Sequence, residues 1–445
     1  MRATLKTPIA PAGPLAGALD RVLRVFADVK PGEGVTALLL TCNVFLLLLA
    51  YYLLKIVREP LILASGGAEV KTYAAVGQAI LLVPFVRLYG YLAGRLGRTR
   101  LITSVTLFFA GNLVLFFVLA RAGVRLGVPF YLWVGIFNLG VIAQFWSFAN
   151  DVYSEAEGKR LFPILGVGSS VGAVAGSRVA KLLIRPFGPH SLMLVAAVIL
   201  TLCLGLTYAV NRRDADRKRA SEGTEAFTEA PIGAGGGFAL LLRDRYLGMV
   251  ALLTLLLNWV NTTGEYVLDR ALVQASLAGG ATRGAAERFI GEFKADYFSW
   301  VNVTGVILQL FVVSRVIRYV GVRGALLVLP MVALFGYGTL AALPVLSIIF
   351  VAKVAENSVD YSLQNTARQA LFLVTDREAK YKAKAAIDTF VVRAGDVLAA
   401  AVVWLGSKAQ WSTQQFIAMN LLLVVGWLVV VAFLGREHVR RLAPA

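Results

Sequence analysis

An all-α membrane fold of twelve spans, arranged as two six-helix bundles, is predicted by three features of the sequence. First, 58% of the 445 residues are hydrophobic and only 16% are charged, where a soluble domain carries about 25% charged residues. The mean hydropathy of +0.72 agrees. Second, the apolar residues fall into runs of about 20, the length that crosses roughly 30 Å of hydrocarbon. Third, the runs are interrupted once, near the middle, by a long basic stretch.

Taken in order, segment 1–34 opens with Pro8, Pro11 and Pro14, which interrupt the apolar core a signal peptide needs. Over 15–30, Leu15, Leu19, Val22, Leu23, Phe26 and Val29 alternate with Asp20, Arg21, Arg24 and Lys30 at a helical period. That spacing predicts an amphipathic helix lying on the inner membrane face. Spans follow near 35–57, 72–94, 101–121, 128–149, 161–184 and 190–210, making a first bundle over 35–210. A basic cytoplasmic linker over 211–245 contains Arg212, Arg213, Arg217, Lys218, Arg219, Gly233 and Gly235. The second bundle, 246–436, has spans near 246–268, 297–317, 324–342, 345–369, 384–406 and 414–435, and 437–445 forms a tail.

The net charge of +18 is concentrated in the short loops after even-numbered spans: Arg95, Arg98 and Arg100; Arg160; Arg315, Arg318 and Arg323; Arg377 and Lys382. This positive-inside pattern places both termini in the cytoplasm and the chain in an inner membrane, and it replaces a nucleic-acid reading of the charge. The loop 269–296 balances Arg270, Arg283, Arg288 and Lys294 against Asp269, Glu287, Glu292 and Asp296. Cys42 and Cys203 lie inside apolar runs, His190 at a span edge and His438 in the tail, so neither a disulfide framework nor a metal site is expected. No phosphate-binding loop, catalytic triad or zinc motif is present. An enzyme is therefore not expected, nor a cofactor; the lipid bilayer and an anionic small molecule are the expected partners of a monomer.

An internal repeat supports two equivalent halves. Ser154-Glu155-Ala156-Glu157-Gly158-Lys159 follows span four, and Thr375-Asp376-Arg377-Glu378-Ala379-Lys380 follows span ten, 221 residues later. Parallel halves of this kind characterise the major facilitator architecture. The loop Gly90-Tyr91-Leu92-Ala93-Gly94-Arg95-Leu96-Gly97-Arg98-Thr99-Arg100 resembles the superfamily's loop signature, with Gly94 in the place of its aspartate. Arg318-Tyr319-Val320-Gly321-Val322-Arg323 is a looser echo after span eight. A twelve-helix major facilitator-type fold is the expectation.

Ionisable residues inside spans mark function, because each is costly in lipid unless it faces protein or water. Lys55, Arg58 and Glu59 end span one, Arg87 lies in span two, and Glu265 and Asp269 end span seven. Span ten carries Lys353, Glu356, Asp360 and Arg368; span eleven carries Lys384, Asp388, Arg393 and Asp396. Asn357, Tyr361, Gln364 and Arg368 step at helical spacing beside Glu356 and Asp360, predicting one polar stripe on span ten. Lys384 and Asp388 are spaced for an i,i+4 pair. Substrate contact and interhelical ion pairing are both open to these residues. Arg178, Lys181 and Asp269 lie near span ends and are expected to snorkel or sit in loops. Gly168, Gly172 and Gly176 predict a close helix contact on span five. Asn150 and Asp151, closing span four, are expected to cap or gate. Arg95, Arg98, Glu157, Lys159, Glu378 and Lys380 are the other candidates for gating.

Three segments resemble the ATP:ADP antiporter family of nucleotide transporters: Leu54-Lys55-Ile56-Val57-Arg58-Glu59-Pro60-Leu61-Ile62; Phe148-Ala149-Asn150 with Glu157, Lys159, Pro163 and Gly166; and Lys380-Tyr381-Lys382-Ala383-Lys384-Ala385-Ala386-Ile387-Asp388. The resemblance implies a major facilitator fold and nucleotide exchange, with Arg58 standing where the family has a functional lysine and Lys384 matching a lysine that handles nucleotide. Glu265 aligns with a functional acid. The family's glutamate within span four has no counterpart, since Trp133–Ser147 contains no acid. The functional expectation is an alternating-access antiporter of nucleotides or another organic phosphate, with Lys55, Arg58, Glu265, Glu356, Asp360, Arg368, Lys384, Asp388 and Arg393 at the substrate site. The alternatives are a proton-coupled transporter of a non-nucleotide solute and a non-transporting membrane scaffold.

Overall fold

The computed structural model describes residues 29–30, 32–220, 241–278, 282–375 and 383–442, without the side chains of Leu139, Glu155, Ala156, Lys159, Ala385 and residues 217–220. Most of the amphipathic segment 15–30, residues 221–240 of the linker, and Glu378, Lys380 and Lys382 lie outside the described residues.

Every regular element among the described residues is helical. Twelve segments run in order among the described residues: α1 (34–66), α2 (68–95), α3 (Arg98–Arg121), α4 (Gly127–Val152), α5 (Glu155–Phe187), α6 (Ser191–Ala220), α7 (Arg245–Leu277), α8 (Arg283–Phe311), α9 (Val313–Ala342, whose short first part ends in a turn at Gly321), α10 (346–374), α11 (383–408) and α12 (Thr413–Leu442). α1 and α2 are separated only by Gly67, whose φ of 75° is a conformation glycine adopts at no steric cost. Among the described residues nine helices, with 34–95 taken as one, are long and apolar enough to cross a membrane. α8 and α10 fall short because charges interrupt them.

Two expectations need correction. The predicted loop 269–296 is mostly helix: α7 continues to Leu277 and α8 begins at Arg283 behind Thr282, whose hydroxyl accepts from the Ala285 amide at 3.4 Å. Ala286, Ile290, Phe293 and Tyr297 repeat at helical spacing beneath the charges. His438, placed in the tail by sequence, is buried in α12, where its Nδ1 lies 2.8 Å from the Tyr246 hydroxyl.

Among the described residues, π-turns interrupt the helices at Asn138–Ile142 in α4, Asp360–Gln364 in α10 and Ile387–Val391 in α11. The first two are 222 residues apart, within one residue of the sequence repeat. Such turns insert one residue into a helix and concentrate at functional sites.

The chain divides into two compact units: residues 1–57, 84–124 and 133–227, and residues 58–83, 125–132 and 228–445. In the first, α5 packs on α1 through its glycine stripe. A Cβ at Gly168 would meet the Thr41 carbonyl at 2.8 Å, and one at Gly176 the Leu49 carbonyl at 2.7 Å; Gly172 faces the Phe45 carbonyl between them. Asn43 of α1 donates to Thr207 Oγ1 of α6 at 2.9 Å. Trp133, Phe109 and Phe137 stack within this unit at centroid separations of 5.3–5.7 Å. In the second unit, Gly127 lets the start of α4 approach the Leu61 carbonyl, where a Cβ would lie 2.6 Å away. Large apolar side chains such as Leu182, Phe335 and Leu422 are about 70% exposed, a surface suited to lipid.

Candidate functional site

The second unit contains a buried ionic network built by α1, α2, α7, α8 and α10. Lys71 Nζ lies 2.5 Å from Glu59 Oε2 and 2.6 Å from Asp269 Oδ2. Lys294 Nζ lies 2.6 Å from Asp269 Oδ1, 3.6 Å from Glu59 Oε2 and 3.7 Å from Glu265 Oε2. Glu59, Asp269 and Lys294 are at most 1% exposed. Arg58 donates through Nε and Nη2 to Glu59 Oε1 at 3.1 and 3.0 Å, with its guanidinium 4.7 Å from the Tyr131 ring centroid. Glu265 accepts from the Tyr297 hydroxyl at 2.7 Å and from Asn357 Nδ2 at 2.9 Å.

A second cluster adjoins it through α7 and α10. Lys353 donates to Asn261 Oδ1 at 2.8 Å and pairs with Glu356 Oε2 at 3.1 Å, while the Tyr337 hydroxyl donates to Glu356 at 2.9 Å. Gly264 leaves room for that hydroxyl. Farther along, Asp396 accepts from Asn258 and Thr262, each at 2.9 Å, and pairs with Arg393 at 3.1 Å. Arg58, Lys71, Lys294 and Lys353 thus stand against Glu59, Glu265, Asp269 and Glu356. Charges removed from water cost several kcal/mol each unless paired and hydrogen-bonded; the one-to-one balance supplies the pairing, and Lys294 Nζ and Asp269 Oδ1 meet as an ion pair without hydrogen-bond geometry.

Of the expected site residues, the structure brings Arg58, Glu265 and Glu356 into these clusters and Arg393 into an ion pair. It does not bring in the others. Lys55, in the first unit, lies 5.2 Å from the Tyr52 ring centroid. Lys384 is half-buried, 6.0 Å from the Phe372 ring centroid, and Asp388 is exposed, so their i,i+4 pair is not formed. The π-turn beginning at Ile387 changes the register between them. The single stripe on span ten is likewise split by its π-turn: Asn357 and Gln364 are buried, Tyr361 is exposed, and Asp360 and Arg368 are half-buried. Asp269, expected to snorkel or sit in a loop, is 1% exposed and ion-paired, because α7 extends two turns beyond it. Arg178 is exposed and Lys181 half-buried.

Among the gating candidates, Arg98 in the first unit donates to Asn211 Oδ1 at 2.5 Å and Asp214 Oδ2 at 3.1 Å, with Asp151 at 3.9 Å. Arg95 lies 4.3 Å from the Tyr91 ring centroid. Asn150 and Asp151 are exposed, and the amide of Tyr153, just past the end of α4, donates to the Ala149 carbonyl. Glu157 closes a capping box with Ser154, accepting from its amide and hydroxyl at 2.9 Å each, which gives the first copy of the repeated motif a helix-starting role. Lys159, Glu378 and Lys380 are among the side chains not described.

Sequence reasoning missed Lys71 and Lys294, which fell outside the expected spans. Asp269 four residues after Glu265, and Lys294 three before Tyr297, carried a helical signal that could have found Lys294; Lys71 carried none.

The repeated helical fold, with nine helices among the described residues long and apolar enough to cross a membrane and a balanced ionic network buried among them, is that of a multi-pass membrane protein. Solved structures share the fold: the nucleoside transporter NupG, at a TM-score of 0.63 and 12% identity, and the POT family transporter PepTSo, at 0.62 and 11%, each over 91% of this chain and 98% of its own. The family model described as TLC ATP/ADP transporter matches residues 130–438. The chain belongs to the TLC ATP/ADP transporter family. "ADP,ATP carrier protein 1" of Chlamydia pneumoniae is 24% identical over 293 residues, covering 57% of this chain and 55% of that protein. The protein of the same name from Rickettsia bellii (strain RML369-C) is 21% identical, over 94% of this chain and 96% of its own. The chain spans about half the length of the chlamydial relatives it matches.

Proposed function

We propose that the protein exchanges nucleotides of the ATP and ADP class across an inner membrane by alternating access, as a monomer with both termini in the cytoplasm. The observation that carries the reading is the buried cluster in which the cations Arg58 and Lys353 stand with the acids Glu265 and Glu356, in a chain whose relatives are named ADP,ATP carriers. A binding site for a polyphosphate needs cations that stay charge-compensated while substrate is absent and can be handed over to it. Carboxylates that neutralise those cations between substrates supply this, and charge-assisted hydrogen bonds from arginine and lysine suit phosphate oxygens. Arg58, with its side chain 13% exposed, and half-buried Lys384 are the accessible cations assigned to phosphate contact. Glu265, with its side chain 24% exposed, is the acid assigned to release one of its partners. Arg98, with Asp151 and Asp214, is assigned to cytoplasmic gating, the acid that Gly94 lacks being supplied from α4 and α6.

The test is uptake of labelled ATP, ADP and phosphate into proteoliposomes with and without internal nucleotide. Uptake that requires internal nucleotide is expected. Arg58→Ala and Lys384→Ala are expected to abolish it while leaving membrane insertion intact. Uptake driven by a proton gradient and indifferent to nucleotide would overturn the reading.

A further inference from the structure

The ring formed by Glu59, Lys71, Asp269 and Lys294 has a symmetry that pairing alone does not require. Its acids come from the first helix of each sequence half, α1 and α7, and its lysines from the second, α2 and α8. Each lysine reaches both acids. Lys71 touches Glu59 and Asp269 at 2.5 and 2.6 Å; Lys294 touches Asp269 at 2.6 Å and Glu59 at 3.6 Å. Parallel repeats are related by an axis along the membrane normal, and a site to which matching helices give matching residue types falls near that axis, along which alternating access would carry a solute. The ring residues lie on either side of the turns that join the helix pairs. Glu59 and Lys71 flank the Gly67 turn between α1 and α2; Asp269 and Lys294 flank the turn between α7 and α8. The Tyr266 hydroxyl donates to Glu69 at 2.8 Å at the same end, adding a further tie between α2 and α7.

Both ring lysines are held between the same two carboxylates, whose side chains are 1–2% exposed, an arrangement that suits closure rather than reception of an anion. We infer that these four residues are a gate: a charge ring that closes the extracytoplasmic end of the passage by tying α1 and α2 to α7 and α8, and that parts once in each transport cycle. Lys71, Asp269 and Lys294 are thereby further functional residues, acting on closure rather than on substrate recognition. The inference rests on the alternating-access reading above, not on nucleotide as the solute.

The experiment uses the full chain in lipid nanodiscs with Cys42 and Cys203 replaced by alanine and spin labels at Tyr73→Cys and Leu277→Cys, both exposed positions on α2 and α7. The intact ring is expected to give a dominant short-distance population. Asp269→Asn, and independently Glu59→Gln, are expected to shift it to longer distances; Glu287→Gln, which lies outside the ring and loses the pair with Arg283 on α8, is expected to leave it unchanged. An unchanged distribution in a folded ring variant overturns the gate. Should both ring variants fail to fold, Glu69→Cys and Tyr266→Cys, with the ring intact, are bridged by a short bifunctional thiol reagent. Loss of exchange on bridging supports the gate, and full exchange with the bridge in place overturns it. A distance shift in a protein that neither binds nor exchanges nucleotide would overturn the proposed substrate and leave the gate standing.

Discussion

Gly264 shows how much a single position can decide. A Cβ there would collide with the Tyr337 hydroxyl and come within 3.0 Å of Lys353 Nζ, the two groups that hold Glu356. Gly264→Ala is expected to cost about 1–3 kcal/mol through overpacking, read as a lower thermal unfolding midpoint in detergent. Lys353→Met removes the cation and leaves a buried carboxylate with one hydroxyl partner, a change expected to cost about 3–5 kcal/mol. Lys353→Met combined with Glu356→Gln is expected to regain most of that stability in the same measurement. Arg58, Glu265 and Glu356 were legible because a charge in an apolar run stands out. Lys71 and Lys294 were not, because a charge beside an estimated span boundary reads as a loop residue. Only the observed helix lengths moved them inside.

At the scale of elements, the π-turns do what periodicity cannot foretell. Each extra residue rotates the following helix by about 100° relative to an uninterrupted α-helix. In α10 this separates Gln364 from Tyr361, and in α11 it separates Lys384 from Asp388. Deleting Tyr361 is expected to restore α-helical register, turn Arg368 away from its present direction, and abolish nucleotide exchange with membrane insertion retained; counterflow and expression in the membrane fraction measure the two. The glycine stripe on α5 was legible because three glycines at four-residue spacing have a packing meaning in any helix, and α1 carbonyls fill it. The capping box at Ser154 was legible as a repeated motif, but its role in starting a helix emerged only with the backbone.

For the whole molecule, the orientation proposed from the basic loops, with both termini in the cytoplasm, has a direct test. In a background without Cys42 and Cys203, Gly97→Cys is expected to react with an impermeant thiol reagent only from the cytoplasmic side, and Ala278→Cys only from the opposite side. Labelling in right-side-out and inverted vesicles measures both. The number of helices, their repeat and their lipid-suited surface were determined by the sequence, since hydropathy and charge act locally and each run carries its own signal. Which charges meet was decided by tertiary structure alone. Glu59 and Asp269 are 210 positions apart in the chain, and nothing local to either says that Lys71 and Lys294 lie within reach of both. Buried ionic groups are stable only in company, and that company is assembled by helix packing across the two repeats.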